Sequence, residues 1–465
     1  MKTLCDPDAI LGEALAAIRA QFQVPADFPP EVTSAAEAAA RRPLDDHVDR
    51  TDLPFVTLDP ASSTDLDQAF TIEAAGSDLL LRYAIADVAW FVRDGDPVDA
   101  EAWRRGGTLY LPDGKARLYP AVLSEQAASL LPDGPRPAII FSVRIDPEGK
   151  ACLDGAERGV IRSRAKLAYS TATEAELPAG FAALSERVQA AEQKRGAARV
   201  DPPEQEVSRT NGHYELIFRT RYPSEDRNAA LSLAANLAIA DALQAHKTGL
   251  FRVMAGPDER AIRRLRFTAR ALGINWPKDQ GLREVEHVLD PADPKHAAFM
   301  AAIRRAGTGA SYVPWQEGAV PWHAALAATY AHATAPLRRL ADRYVVQATL
   351  AIANGRPVPD AVTAAFAKLP QVMGRADARS GQIERAVIDL AETVMLRDRV
   401  GEVFEAVVTD QDERGARIQL KDLPVVARAV AHHAEPGETI RVRLTEADPE
   451  TRKLGFQRMA GEDQA

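Results

Sequence analysis

Phe55-Val56-Thr57-Leu58-Asp59-Pro60-Ala61-Ser62-Ser63-Thr64-Asp65-Leu66-Asp67-Gln68-Ala69-Phe70 places three carboxylates within nine residues, between two short apolar runs. The first run has strand composition, and Pro60 stops it by lacking the N–H that a ladder needs, so Asp59 falls at a strand end. A loop of small and polar residues follows. Asp65 and Asp67 lie two apart in an extended segment and therefore project to one side. Like charges held close repel by several kcal/mol at intermediate dielectric, so such a cluster must titrate upward, meet cations or bind a metal. Hard divalent ions such as magnesium take oxygen ligands of this kind. The alternative reading is a solvated acidic turn in which Asp serves the local backbone.

Working outward, 465 residues provide for two to four domains and a large core. Apolar content of 46% and charged content of 26% are those of a globular protein. A net charge of -9 and a pI of about 5.6 give no global support to nucleic-acid binding, so any basic channel must be local. Cys5 and Cys152 are the only cysteines, which excludes a disulfide framework and disfavours a Cys-rich zinc site. The N-terminus lacks the apolar core of a signal peptide, and no run of 18 uncharged apolar residues occurs. The expectation is a cytoplasmic monomer with no membrane partner.

Leu11, Leu15, Ile18 and Phe22 form a stripe on a helix over 6–22, with Asp6 as cap and Pro7 in the first turn. A second helix is predicted over 32–42. Strands follow at 69–74 and 79–86, a helix over 97–105 capped by Asp96, a strand at 108–111, and a hairpin of 139–145 with 151–161. Beyond residue 165 helices are predicted at 226–247, 257–272, 294–306, 322–333, 336–353 and 375–398, with a strand at 214–220. Strands first and helices later predict an α+β body. The last 65 or so residues return to short alternating strands with regular turns, the pattern of a small β-barrel. Arg417, Arg441 and Arg443 are its candidates for gripping a single strand.

A second informative run is Tyr330-Ala331-His332-Ala333-Thr334-Ala335-Pro336-Leu337-Arg338-Arg339-Leu340-Ala341-Asp342. Pro336 fits a helix first turn and Thr334 its cap, which would aim free N–H groups where Arg338 points and suit a phosphate. The bland reading is a kinked helix in which Arg338 and Asp342 pair at i, i+4. His332 has no partner in sequence and reads as structural. No Gly-rich phosphate loop, zinc-spaced His pair or nucleophile elbow is present, which removes nucleoside triphosphatase, metalloprotease and hydrolase-fold readings.

The two runs resemble the signatures of the ribonuclease II / ribonuclease R (RNB) family of exoribonucleases. The family pattern Thr-Ile-Asp, five residues, Asp-x-Asp-Asp-Ala is met by Thr57-Leu58-Asp59, five residues, Asp65-Leu66-Asp67-Gln68-Ala69, with Gln68 in place of the fourth acid. Tyr330–Asp342 resembles Tyr-Ala-x-x-Thr-Ser-Pro-Ile-Arg-Arg-Tyr-x-Asp, with Ala335 for Ser and Leu340 for Tyr. The resemblance implies an RNB catalytic domain over 51–398, preceded by a short helical segment and linker over 1–50. It is closed by an OB-fold domain of the ribosomal-S-one type over 399–465.

The resemblance also implies metal-dependent 3′-to-5′ hydrolysis of single-stranded RNA. Magnesium would be held by Asp59, Asp65, Asp67 and Gln68, and the catalytic residues would be Asp67, Asp65 and Arg338. Tyr110, Phe251, Arg339 and Glu384 would contact substrate, with Arg385 beside Glu384. The rival expectation, motivated by Gln68, is a catalytically weakened RNA-binding protein on the same scaffold.

Overall fold

In the computed structural model, the described residues are 10–459 apart from 198–201, 203, 211–212, 220, 291–292, 414 and 432–433. The first helix runs Ile10–Gln21; the expected cap at Asp6 and Pro7 lies outside the described residues. Its stripe of Leu11, Leu15 and Ile18 is buried in one cluster with Ile383, Ala386 and Leu390 of a long late helix. The second helix, Pro30–Ala40, starts on a proline and buries Val32, Ala36 and Ala39.

The main sheet has five strands in the order Val48–Asp49, Ala151–Ile161, Arg136–Ile145, Asp78–Ala86 and Gln68–Ala75. The first pair is parallel and the rest antiparallel, so the hairpins predicted from alternation stand. Thr57–Asp59 pairs in parallel with Lys166–Ala168 beside this sheet, with Asp59 as its last residue. Asp67 immediately precedes the Gln68–Ala75 strand. Leu66 between the two loop aspartates is fully buried, which turns Asp65 and Asp67 away from the core together. Ser129 staples the loop: its Oγ accepts from Leu66 N at 2.9 Å and donates to Thr64 O at 2.8 Å. The Pro97–Arg105 helix is capped by Asp96, whose side chain accepts from Asp99 N.

The helical half departs from expectation in three places. Residues 322–333 are not a helix: Trp322–His323 and Ala328–Thr329 pair antiparallel around a 3-10 turn. Alanine favours helix, but pairing of His323 with Met254 of the Leu250–Met254 strand overrides that propensity. The next helix begins at Leu340 rather than 336, and Thr334 does not cap it. Thr334 Oγ1 instead meets Ser232 Oγ at 3.0 Å. The last helix extends over Asp360–Leu396 with Pro370 inside it, because Val362, Phe366, Leu369 and Met373 bury a stripe that spans the proline.

Val403–Asp412, Gly415–Leu420, Val426–Val430, Lys453–Arg458 and Thr439–Asp448 close into the expected barrel. Ala416, Ile418 and Leu420 face its interior, and Arg417 faces out. Gly415 has φ of 113°, and a Cβ there would lie 2.5 Å from Ala429 O, so only glycine fits. Helix and barrel are joined by Glu392, 3% exposed, whose Oε1 accepts from Val426 N at 2.8 Å and Gln205 Nε2 at 2.7 Å.

Burial pushes the Glu392 carboxyl up to about 7 against those two hydrogen bonds. The folded chain therefore holds a proton that the unfolded chain releases near its ordinary pKa. This contribution is full at low pH and is lost as pH rises from about 4.5 to about 7, by up to ~3 kcal/mol. Glu392→Gln keeps an acceptor for both donors, so its stability relative to wild type is expected to rise over that window. Thermal melts at pH 5, 6, 7 and 8 test this; parallel curves for the two proteins refute it.

Candidate active site

Asp59, Asp65, Asp67, Gln68, Tyr110 and Arg338 line one cavity of about 430 Å³, although they come from separate segments of the chain. Asp67 is 4% exposed and tied to the second run: its Oδ1 accepts from Leu337 N at 2.7 Å, and its Oδ2 lies 3.3 Å from Arg338 Nε. Arg338 is half exposed at the cavity and pairs with Asp67, not with Asp342. Asp65 meets Lys115 Nζ at 2.7 Å, and Tyr110 Oη donates to its other oxygen at 3.3 Å. Tyr110 is 52% exposed, so it is not a core aromatic. Gln68 accepts a hydrogen bond from the buried Tyr83 hydroxyl through Oε1.

The electrostatics follow from this crowding. Burial pushes Asp59 up to about 7, with Asp67 and Asp65 adding repulsion and Arg338 opposing. Asp67 is pushed up to about 7 by burial, with Asp65 adding and Arg338 and the Leu337 N–H opposing. Both would be largely ionised at neutral pH only if additional positive charge entered the cavity.

The segment leading to Arg338 is held by buried polar groups and ends in a turn over residues 336–338, where Arg338 N and Arg339 N both donate to Ala335 O. Asn236 Oδ1 accepts from Ala333 N at 2.9 Å, while its Nδ2 reaches Tyr330 Oη at 3.2 Å and Thr334 Oγ1 at 3.3 Å. Asp342 accepts from Ala335 N at 2.8 Å and forms a two-point pair with Arg339, 2.9 Å from Nε and 2.7 Å from Nη2. Burial and the neighbouring Arg339 and Arg252 push His332 well below its ordinary pKa, and its Nδ1 lies 2.7 Å from Tyr312 Oη; it is structural.

Three expected substrate contacts stand elsewhere. Phe251 is fully buried in the core and presents no surface to a ligand; alternation on its strand turns it inward and leaves Arg252 to pair with Asp377. Arg339 is occupied by Asp342 and lies outside the cavity lining. Glu384 and Arg385 line a different cavity, against the barrel.

Conversely, Lys115, Tyr169, Arg219 and Asn228 were not singled out by sequence, yet Lys115 pairs with Asp65 and the other three line the aspartate cavity. Asn228 and Asn236 carried a readable signal, being amides eight residues apart on an alanine-rich helix, Pro223–Ala245. Both are buried on it.

The donor set suits a hard divalent ion in kind. Its atoms are carboxylate oxygens, and Asp59 Oδ2 is buried without a hydrogen-bond partner. Among the described residues no three such groups are already gathered as a ligand set, and Asp65 and Asp67 hold cationic partners. Asp59 with Asp65 or Asp67 would hold the ion by exchanging those partners, and Gln68 retains a second lone pair on its carbonyl oxygen.

A cavity of clustered aspartates and an arginine on an α+β body, closed by a β-barrel, defines a known class of protein. Residues 47–354 match the RNB domain, and residues 402–459 match the RNase II-type exonuclease C-terminal S1 domain. The chain belongs to the RNB family. It is 27% identical to Ribonuclease R of Aquifex aeolicus over 438 residues, covering 88% of this chain and 62% of that protein. Against Ribonuclease R of Escherichia coli it is 27% identical over 412 residues, covering 81% of this chain and 50% of that one. The chain thus spans about half to three fifths of the length of these curated relatives. The fold matches Mycoplasma genitalium RNase R, solved in complex with ribose methylated single-stranded RNA. The TM-score is 0.86 at 20% identity, covering 99% of this chain and 79% of that one. No helix among the described residues is long and apolar enough to cross a membrane.

Proposed function

We propose that this chain is a magnesium-dependent exoribonuclease that removes nucleotides from the 3′ end of single-stranded RNA, processively, releasing nucleoside 5′-monophosphates. The observation that carries this reading is the convergence of Asp59, Asp65 and Asp67 with Arg338 in one cavity. Asp67 positions Arg338 through Nε, leaving the rest of the guanidinium at the cavity mouth for a phosphate oxygen. Tyr110, half exposed beside Asp65, offers a ring face to a base or ribose. A divalent cation bound among the aspartates would supply Lewis acidity toward the scissile phosphate and lower the pKa of the attacking water. Asp59, Asp65 and Asp67 would hold it and surrender any protons they carry. The reading is tested with 5′-labelled RNA and DNA of one sequence, incubated with magnesium or EDTA. A descending ladder from RNA with magnesium alone is the expected result.

Gln68 favours a second reading, a catalytically weakened RNA-binding protein, since it removes one negative charge from the set. Binding without shortening in the same assay would support it.

Both points meet in a metal titration. Gln68→Asp adds charge beside the aspartates and is expected to lower the magnesium concentration for half-maximal activity. For wild type that concentration should rise as pH falls below about 7, because protons on Asp59 and Asp67 compete with the cation, and level off above it. Identical half-maximal values for the two proteins would remove Gln68 from any influence on the metal.

A further inference from the structure

Asp65 is the aspartate of the cavity whose charge is already answered from behind. Lys115 Nζ lies 2.7 Å from Asp65 Oδ1 and 2.7 Å from Glu125 Oε1, and it donates to Thr64 Oγ1 at 3.3 Å. Glu125 in turn accepts from Thr64 Oγ1 at 2.8 Å and pairs with Arg117 Nη2 at 3.0 Å. The four charges alternate in sign, and Lys115, Asp65 and Glu125 are all largely buried. Lys115 is not among the residues that line the cavity, so it touches Asp65 and not a molecule bound there.

The fold builds this cation into place. Lys115 stands directly across from Tyr110 in the hairpin of Leu109–Leu111 and Gly114–Ala116, so their side chains share one face. Both reach the same carboxylate: Lys115 takes Oδ1, and the Tyr110 hydroxyl meets Oδ2 at 3.3 Å. Leu109, Leu111 and Ala116 of the hairpin are buried in one cluster with Leu11, Leu15 and Ile18 of the first helix. Arg19 of that helix holds Asp113 at the hairpin tip through hydrogen bonds of 2.9 and 2.8 Å. Against burial, hydrogen bonds from Arg117, Lys115 and Thr64 hold the Glu125 carboxyl down to about 2, so it stays anionic at neutral pH. The ammonium is therefore fixed between two anions, with little side-chain freedom left to lose.

Asp59, Asp65 and Asp67 bring three negative charges when ionised, Gln68 brings none, and Lys115 and Arg338 return two. Arg219 and Arg221, which also line the cavity, are matched by Glu225 at 2.5 Å and Asp226 at 3.3 Å. Lys166 lies outside the lining and donates to Ala61 O at 3.0 Å. One unit of negative charge remains, which one divalent ion and one phosphodiester bring to neutrality. A second divalent ion would leave two positive charges in excess at the low dielectric of a largely buried site. We propose that Lys115 stands in for a second divalent ion: it is a positioning residue that limits the aspartate cavity to one. Asp65 keeps Oδ1 on Lys115 and offers the ion Oδ2, whose contact with Tyr110 is the longer of the two. The proposal rests on the reading that the cavity takes a divalent cation.

The test counts Mn2+ ions bound to full-length wild type, Lys115→Met and Lys115→Arg, with the Asp59→Asn/Asp67→Asn double variant as the blank. Free Mn2+ is read by electron paramagnetic resonance during a titration without RNA, and shortening of 5′-labelled RNA with Mn2+ is measured alongside. Wild type is expected to bind one ion more than the blank. Lys115→Met removes the resident charge with little change of volume. It should bind two ions more than the blank, the first at least ~10-fold tighter than in wild type. In the same variant the initial rate should steepen from first order toward second order in metal concentration. Lys115→Arg keeps a cation beside Asp65 and should return the count to one.

Two ions in wild type, or a count and affinity unchanged in Lys115→Met, would overturn the role of Lys115 and leave a metal-dependent nuclease standing. A count for Lys115→Arg equal to that of Lys115→Met would also overturn it, by giving the effect to shape and not to charge. No ion above the blank in wild type would remove this role, and RNA left intact as well would remove the metal-dependent activity with it. Should Lys115→Met fold poorly, Lys115→Gln, which still donates to a carboxylate without the charge, carries the same expectation.

Discussion

Asp67→Asn is expected to lower kcat at least ~100-fold, a barrier increase of about 2.7 kcal/mol, while long-RNA affinity stays within about threefold. The asymmetry follows from what the two carboxylate oxygens do. Oδ1 accepts from Leu337 N, and an asparagine carbonyl can continue to do so, which keeps the turn that carries Arg338 in place. Oδ2 faces Arg338 Nε at 3.3 Å, and an amide NH2 there sets donor against donor. The variant also removes an anionic oxygen from the set that would hold a divalent cation. Phosphate contacts remote from the cavity do not depend on Asp67, so binding survives. Single-turnover cleavage with magnesium and filter binding in EDTA measure the two halves separately. Retention of more than about a tenth of wild-type kcat would show that Asp67 is dispensable.

Arg338→Lys should have a comparable effect for a different reason. Lysine keeps the charge but has no Nε to meet Asp67 and no planar fork for two phosphate oxygens. The charge is therefore retained in a less directed form at the mouth of the cavity, where the arginine side chain is 48% exposed. We expect kcat to fall ~100-fold, about 2.7 kcal/mol, with KM changed less than about threefold. Equal reductions in kcat and affinity would make Arg338 a binding residue. Because its backbone segment is held by Asn236 and Asp342 and not by the guanidinium, melting temperature should not move appreciably.

Features that rest on local chemistry are legible in the chain without its fold. The strand ending at Asp59, the loop that turns Asp65 and Asp67 to one side, and the alternating strands of the barrel all follow from proline placement and side-chain period. The Asp96 cap is of the same kind. Arg338 is given a role in the same site as the aspartates by the family resemblance of the two motifs, while its contact with Asp67 is seen only in the structure.

Features that rest on contacts between distant segments are not legible in this way. Residues 322–333 carry helix-favouring alanines, but strand pairing with Met254 claims them. Proline and threonine at 336 and 334 suit a helix start, yet only a single turn forms over 336–338, because buried hydrogen bonds from Asn236 and to Asp342 claim Thr334 and Ala335, and the helix begins at Leu340. Phe251 and Glu384 are given substrate contacts by the resemblance, but one lies in the core and the other lines a cavity against the barrel. A one-dimensional pattern records which residues share a face. Which face another element covers, and so which charge meets which, is settled only when the chain closes on itself and every buried polar group must find its partner.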